Sequence, residues 1–433
     1  DHDAAPGHLE PRLRDLLPDP LRLRDMASAA ERIVAAALHG QRIAVFADYD
    51  VDGGASAALL IGWLRSLGRD ATLYVPDRID EGYGPNAPAI ATLAAAHDLI
   101  VCVDCGTLSH EALAAAQGRA DVIVLDHHQG GETLPPALAV VNPNRADEDG
   151  ALGYLCAAGV VFLTLVQCNR ALRAAGRPEP DLLSHLDLVA LATVADVAPL
   201  VGVNRAFVRQ GLAIMARRQR PGLVALSDVA RLDTLPTAFH LGFLLGPRIN
   251  AGGRVGQADL GARCLSCDDP HQAALMAARL DDFNRDRRAI EAGLRDEALA
   301  QVEARGDPAL AWAAGEGWHP GVVGIVAARV KEATRRPSVV IGVQGGVGKG
   351  SARSVPGVDI GRAMQRLMAE GLIEKGGGHA MAAGLTVAAD AIPAAMAPED
   401  TITTSDPAFI RASIASARYC SLLVSNTPDG VVS

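Results

Sequence analysis

Short apolar runs alternate along the chain with longer stretches in which apolar residues recur every three or four positions. IAVFA (43–47), ATLYV (71–75), LIVCV (99–103) and DVIVL (121–125) read as strands, and the segments between them predict helices over 55–67, 86–97 and 109–117. A helical lead-in, LRLRDMASAAERIVAAAL (21–38), comes first. Such βαβ alternation predicts an α/β fold with a parallel, doubly wound sheet, in which ligands gather at the carboxyl ends of the strands. From about 153 to 266 the pattern is mostly helical. The stretch 270–305 is charged except for a stripe marked by Phe283, Ile290, Leu294 and Val302, and predicts a long connecting helix. A second, smaller α/β unit is expected over 307–388, with strands in ALAWAA (309–314) and SVVIGV (338–343) and turns in GKGSARS (348–354) and GGGHAMAAG (376–384).

Composition supports this division. The 433 residues, 49% hydrophobic and 21% charged, suffice for two or three cores. The longest apolar run, AGVVFLTLV (158–166), falls short of the ~18 residues of a membrane span and reads as a buried helix. No leader pattern is visible, and seven scattered cysteines suit a reducing compartment, so the expected location is the cytoplasm and no membrane partner is expected. Two CxxC pairs, Cys102/Cys105 and Cys264/Cys267, raise the question of zinc; Asp104 inside the first pair, at the end of an apolar run, argues against it. The formal net charge of −10 speaks against nucleic acid unless carboxylates cluster on metal ions and the basic groups, nearly all Arg, cluster elsewhere.

The acidic clusters have that character. FADYDVDGGA (46–55) carries Asp48, Asp50 and Asp52 at alternate positions. Like charges ~4 Å apart repel by about 4 kcal/mol at an effective dielectric near 20, so a cation between them is expected. An EF-hand loop would place Glu at its twelfth position and a helix ahead of it; Leu59 and a strand stand there instead. A DxDx[TV] phosphatase fits Asp48, Asp50 and Val51 but wants a phosphate-holding Lys, and Lys occurs only at 331, 349 and 375. Two further strands end in possible ligands, Asp104 after LIVCV and Asp126-His127-His128 after DVIVL, and Asp196 lies in apolar TVADVAPL (193–200), where an unpaired carboxylate would be costly. A P-loop is excluded because Val343 and Gly350 occupy positions that need Gly and Ser or Thr.

In order, DYDVDG (48–53), RIDEGYGPN (78–86), VDCG (103–106), DHH (126–128), TVADVAPL, GPRINAGGR (246–254), EGWHPGVVGIVAAR (316–329), KGSARS (349–354) and GGGHAMAAG form a set that resembles the DHH phosphoesterases from about residue 10 to about 388. The resemblance implies a catalytic DHH domain (1–269), a connecting helix (270–306), a DHH-associated substrate-binding domain (307–388) and an atypical tail (389–433). It implies two divalent ions, Mn²⁺ foremost and Mg²⁺ as the alternative: Asp48 and Asp50 on one, Asp52, His127 and Asp196 on the other, and Asp104 bridging. Five carboxylates and a neutral His would then offset four positive charges, and ions ~3.5–4 Å apart activate water for in-line attack on phosphorus. His128 would act at the phosphate and Asp126 would orient a histidine, completing a catalytic set with Asp104. Arg248, Asn250, Arg254, Ser351, Arg353 and His379 would bind substrate, and Trp318 and His319 would either stack on a base or belong to the core.

The activity implied is 5′→3′ hydrolysis of single-stranded DNA to 5′-mononucleotides in recombination and repair, by a monomer that works with a single-strand-binding protein or a helicase. The alternatives are a phosphodiesterase for short oligonucleotides or cyclic dinucleotides, and a replication scaffold without chemistry, which would be expected to lose metal ligands that this chain keeps. After about 388 neither the five strands nor the basic, aromatic surface of an OB-fold is legible, so weak, distributive binding is expected.

Overall fold

The computed structural model describes residues 10–78, 81–306 and 309–397. They fall into two compact units, one running to Arg288 and the other starting at Ala289.

In the first unit, strands β1 (Ile43–Ala47), β2 (Thr72–Tyr74), β3 (Leu99–Val103), β4 (Asp121–Leu125) and β5 (Ala139–Val141) form one parallel sheet in the order β2-β1-β3-β4-β5. Both faces are covered, which is why the strands are apolar runs rather than alternating ones. Ala44, Phe46, Ile100, Cys102 and Val124 pack with the helix Ala87–Ala96, while Val45, Val101, Val103 and Leu125 join the larger helical core. The order reverses between β1 and β3, so the loops after those strands open a crevice at the switch point. The helix after β1 spans Val51–Ser66, four residues earlier than predicted, because Asp50 caps it. β5 is too short to leave a periodic signal in the sequence.

The long helix is Pro270–Ala304; Phe283 and Val302 of its predicted stripe are buried, whereas Ile290 and Leu294 are half-buried.

The second unit carries a five-stranded sheet, β6 (Ala311–Glu316), β7 (Ser338–Gln344), β8 (Val347–Arg353), β9 (Lys375–His379) and β10 (Ala382–Ala388), ordered β6-β7-β8-β10-β9, with β6 and β7 parallel and the other pairs antiparallel. The segments predicted as turns, GKGSARS and the GGGH stretch, are therefore largely strands. Their glycines are demanded by packing: a Cβ on Gly350 would lie 2.7 Å from Leu385 and one on Gly348 2.9 Å from Ile341. The unit's core also extends past the expected limit at 388, through Ile392, Ala395 and Met396. The tail from 398 onward lies outside the described residues.

Candidate metal centre

β1 ends at Ala47 and the chain turns at once into the helix Val51–Ser66. Asp50 is its N-cap: one carboxylate oxygen accepts from the amides of Asp52 (2.8 Å) and Gly53 (3.1 Å), donors that a helix start otherwise leaves unsatisfied. A Cβ on Gly53 would come within 2.4 Å of the carbonyl oxygen of Asp48, so only glycine lets the helix begin this close to the strand end. Asn250 fixes the turn from outside, its Oδ1 accepting from the Val51 amide at 3.0 Å. Asp52 is fully enclosed and accepts from the amides of Ala157 (2.6 Å) and Ala158 (2.8 Å) at the start of the helix Ala157–Ala174, where the helix dipole favours negative charge.

Past β3, Asp104 has φ +61°, a left-handed conformation that costs a non-glycine residue about 1–3 kcal/mol and that tends to mark functional positions. Its amide donates to the Leu125 carbonyl at 2.9 Å. Asp196 is the C-cap of the helix Leu186–Ala195. That helix ends through Val197, also left-handed (φ +58°) though β-branched and 85% exposed, while the Ala198 amide reaches back to the Thr193 carbonyl at 3.0 Å.

Asp126, after β4, is a hub. It accepts from the amide and hydroxyl of Thr107 (3.1 and 2.7 Å) and from the amides of His127 and His128 (2.7 and 3.2 Å), and it pairs with His128 Nδ1 at 2.8 Å. These contacts fix its carboxylate against His128. Asn142 joins the Thr107 hydroxyl to the His128 carbonyl, each at 2.8 Å, and Asn144 donates to the His127 carbonyl. His127 Nε2 lies 3.3 Å from Asp104, 3.6 Å from Asp52 and 3.9 Å from Asp196. His128 Nε2 is 3.1 Å from the Tyr83 hydroxyl.

Three sets of ligand atoms thus lie within 4.8 Å of one another: Asp48, Asp50 and Asp104; Asp52, His127 and Asp196; and Asp104 with both histidines. Burial, and then the neighbouring carboxylates, push Asp48 and Asp104 well above the ordinary carboxylate range. Asp196 is raised to about 8, by burial first and then by Asp52 and Asp50. Burial works against the charge of His128, but the bond to Asp126 and the nearby carboxylates outweigh it and raise the imidazole to about 9, while Asp126 itself is held low by His128 and Thr107 against the effect of burial. One buried oxygen each of Asp48 and Asp104 has no hydrogen-bond partner of acceptable geometry. Crowded, desolvated carboxylates with unsatisfied oxygens fit divalent cations, and the mix of carboxylate oxygen and imidazole nitrogen suits Mn²⁺.

Other expected site residues are placed differently. Arg248 pairs with Asp281 (2.8 Å) and donates to the Leu244 carbonyl (2.8 Å). Asn250 holds the Val51 turn rather than facing outward. Arg254 is half-buried, and burial, together with the charge of Arg78, lowers it to about 10. In the second unit Arg353 Nη1 donates to Ser351 Oγ at 3.0 Å, and the exposed His379 is aligned with Arg353 through Ala382, so that both side chains stand on one sheet face. Trp318 is core: it is 7% exposed and donates to Glu297 at 2.9 Å, while His319 Nδ1 accepts from the Gly321 amide. Cys102, Cys105 and Cys264 are buried thiols, Cys267 is half-buried, and no cysteine joins a possible metal group among the described residues.

Tyr83, Thr107, Asn142 and Asn144 were missed as site residues. Tyr83 sits in the RIDEGYGPN motif and Thr107 directly follows VDCG, so both adjoin recognised motifs. The asparagines, in NPN (142–144), carry no signal that separates them from an ordinary turn.

The chain matches the family model "DHH family, N-terminal domain" over residues 42–193 and the "DHHA1 domain" over 306–398. It is 42% identical over 402 residues to the single-stranded-DNA-specific exonuclease RecJ of Dickeya dadantii, an alignment covering 88% of this chain and 69% of that one. The RecJ of Escherichia coli is 40% identical over 403 residues with the same coverage. Among solved structures, exonuclease RecJ bound to manganese superposes with a TM-score of 0.78 at 35% identity, covering 92% of this chain and 97% of that one. RecJ of Thermus thermophilus in complex with Mn²⁺ gives 0.73 at 33% identity, covering 96% and 56%.

Proposed function

The chain belongs to the RecJ family of single-stranded-DNA-specific exonucleases, and from that premise we propose that it hydrolyses single-stranded DNA from the 5′ end, releasing 5′-mononucleotides, in recombination and repair. The observation that carries this reading is the convergence of three strand ends and Asp196 on one cluster in which one buried oxygen each of Asp48 and Asp104 accepts no hydrogen bond. Asp48, Asp50 and Asp104 would hold one divalent cation and Asp52, His127 and Asp196 a second, with Asp104 reaching both. When bound, such ions supply Lewis-acid charge to a phosphoryl oxygen and lower the pKa of water.

The remaining parts belong to the chain's own side chains. Asp126 holds His128 through Nδ1, so that Nε2 carries its proton toward a phosphoryl oxygen, and Tyr83 steadies the same nitrogen. Arg254 adds positive charge beside Asp50 and Tyr49. In the second unit the start of the helix Val323–Thr334 lies beside Ser351 and Arg353: a Cβ on Gly324 would be 3.2 Å from the hydroxyl and 3.3 Å from the guanidinium. A helix N-terminus, an Arg fork and a face of small residues together suit a phosphate of the strand. We further propose that it works in the cytoplasm as a monomer, on strands supplied by a helicase or a single-strand-binding protein.

Incubating 5′- and 3′-labelled single strands with Mn²⁺ tests the reading. Mononucleotide released from the 5′ label at the earliest times, while the 3′ label shortens step by step, is the expected result. Internal fragments, mononucleotide released first from the 3′ label, or no hydrolysis would overturn it.

A further inference from the structure

A chain with only 3% aromatic residues spends two of its seven phenylalanines on the surface, side by side. Phe239 is 59% and Phe243 71% exposed, and their rings stack with centroids 5.0 Å apart and planes 24° from parallel. They stand four residues apart on one helical run, so they share a face, while Leu241 and Leu245 on the other side are fully buried and anchor it. The run begins at a capping box, with the Thr237 amide donating to His240 Nδ1 at 3.1 Å, and the His240 ring meets Phe239 edge-on.

The run that carries this pair leads to the elements of the acidic centre. Residues 241–245 form a π-turn in which the Gly246 amide reaches the Leu241 carbonyl, as expected ahead of Pro247, which has no amide proton to continue an α-helical ladder. Gly246 then lies against Ala195 and Val51, the neighbours of Asp196, Asp50 and Asp52: a Cβ there would be 3.4 Å from the first and 3.9 Å from the second. Phe243 is three residues away, roughly 5 Å along a helix axis. Two stacked rings open to solvent, on a run that ends against the elements of the acidic centre, have the form of a base-stacking platform, and stacking does not depend on the chain's unfavourable net charge.

We propose that Phe239 and Phe243 form a positioning platform on which a base of the single-stranded substrate, close to the scissile phosphate, stacks during cleavage. The inference rests on the nuclease reading above. Stacking on an aromatic face accepts any base, so the platform would hold the strand in line without sequence preference.

The test combines protein and substrate changes: wild type, Phe243→Ala, Phe239→Ala and Phe243→Trp, each with Mn²⁺ on short single strands that carry one abasic site moved stepwise from the 5′ end. Wild type is expected to show one or two positions at which the abasic site raises KM roughly tenfold, the scale of one lost stacking contact, with kcat little changed. In Phe243→Ala the normal strand should already show the raised KM and the abasic site at those positions should add nothing, whereas Phe243→Trp should restore the wild-type pattern. Manganese stoichiometry and thermal midpoint, unchanged in all variants, separate this from misfolding. If wild type degrades single strands but the alanine variants keep its KM, or remain as sensitive to the abasic site as wild type, the platform is wrong, whether or not their oligomeric state changes. If wild type does not degrade single strands at all, the nuclease reading itself has failed.

Discussion

Asp52, Asp104 and Asp126 are buried to within 2% exposure in the first unit, whereas Lys349 and His379 stand exposed on the sheet of the second. The first site is assembled at strand ends, where the backbone turns sharply enough to bring carboxylates together and holds them there with amides. The second lies along strands, where glycine and alanine keep side chains out of the way and leave backbone open to approach. The contrast teaches that buried charge must be fixed in place by the fold, since desolvated carboxylates repel, while an exposed polar surface can stay simple because water screens it.

The largest effect should come from the first site. Asp104→Asn is expected to lower activity by about 10³-fold, the scale on which a transition-state electrostatic partner is lost. It should also raise the melting temperature of the metal-free protein at alkaline pH, since a buried carboxyl whose ionisation is opposed by burial and by its neighbours is gone. Near-normal turnover, or a metal-free variant less stable than wild type, would contradict the arrangement. Asp126→Asn, which leaves the ligand set intact, should cost roughly 10- to 100-fold, as losses behind a metal's ligands do. Its pH–rate profile should lose its alkaline side at lower pH, because the carboxylate that helps hold His128 near 9 is gone; an unmoved profile would show that His128 does not act as a cation. On the second unit, Arg353→Ala should raise KM roughly tenfold through one lost charge-assisted bond and leave manganese stoichiometry unchanged. Loss of metal in that variant would erase the distinction between the two regions.

The smallest effect concerns protons. In the metal-free protein Asp196 stays protonated to about pH 8 when folded but only to about 4 when unfolded, so the native state binds more protons across that window and stability falls as pH rises through it. His128, raised to about 9, extends the decline. Thermal midpoints measured in chelator should therefore drop from pH 5 to 9, and saturating Mn²⁺ should flatten or reverse the slope. A chelated protein that gains stability over this range would refute the cause given for these shifts.

How much of this was legible from the residues differs between the same two regions. IAVFA, LIVCV and DVIVL announce buried parallel strands, and an aspartate directly after such a run has few places to be other than the sheet's carboxyl edge. In the second unit GKGSARS and GGGHAMAAG carry the usual signs of turns, yet the first and the GGGH stretch of the second both pair with β10, and in the first of them Ile341, Leu385 and Val387 leave no room for a Cβ at Gly348 and Gly350. The partner of Arg248, Asp281, stands 33 positions later, and nothing local in GPRINAGGR announces that pairing. Asn250 acts 199 positions back, on the Val51 turn.

Local pattern determined four of the first sheet's five strands, the long helix, the acidic strand ends and the residue types able to hold divalent ions, since periodicity and the cost of clustered charge are properties of short segments. The tertiary structure alone decided that Asp126 meets His128 while Asp104 meets His127, that Asp104 and Val197 adopt left-handed backbone, that Tyr83 and Asn142 bond to His128, and that Phe239 and Phe243 stack in the open. Each of these depends on which distant segment arrives within hydrogen-bond or van der Waals range, and contacts between residues far apart in sequence leave no periodic trace along the chain.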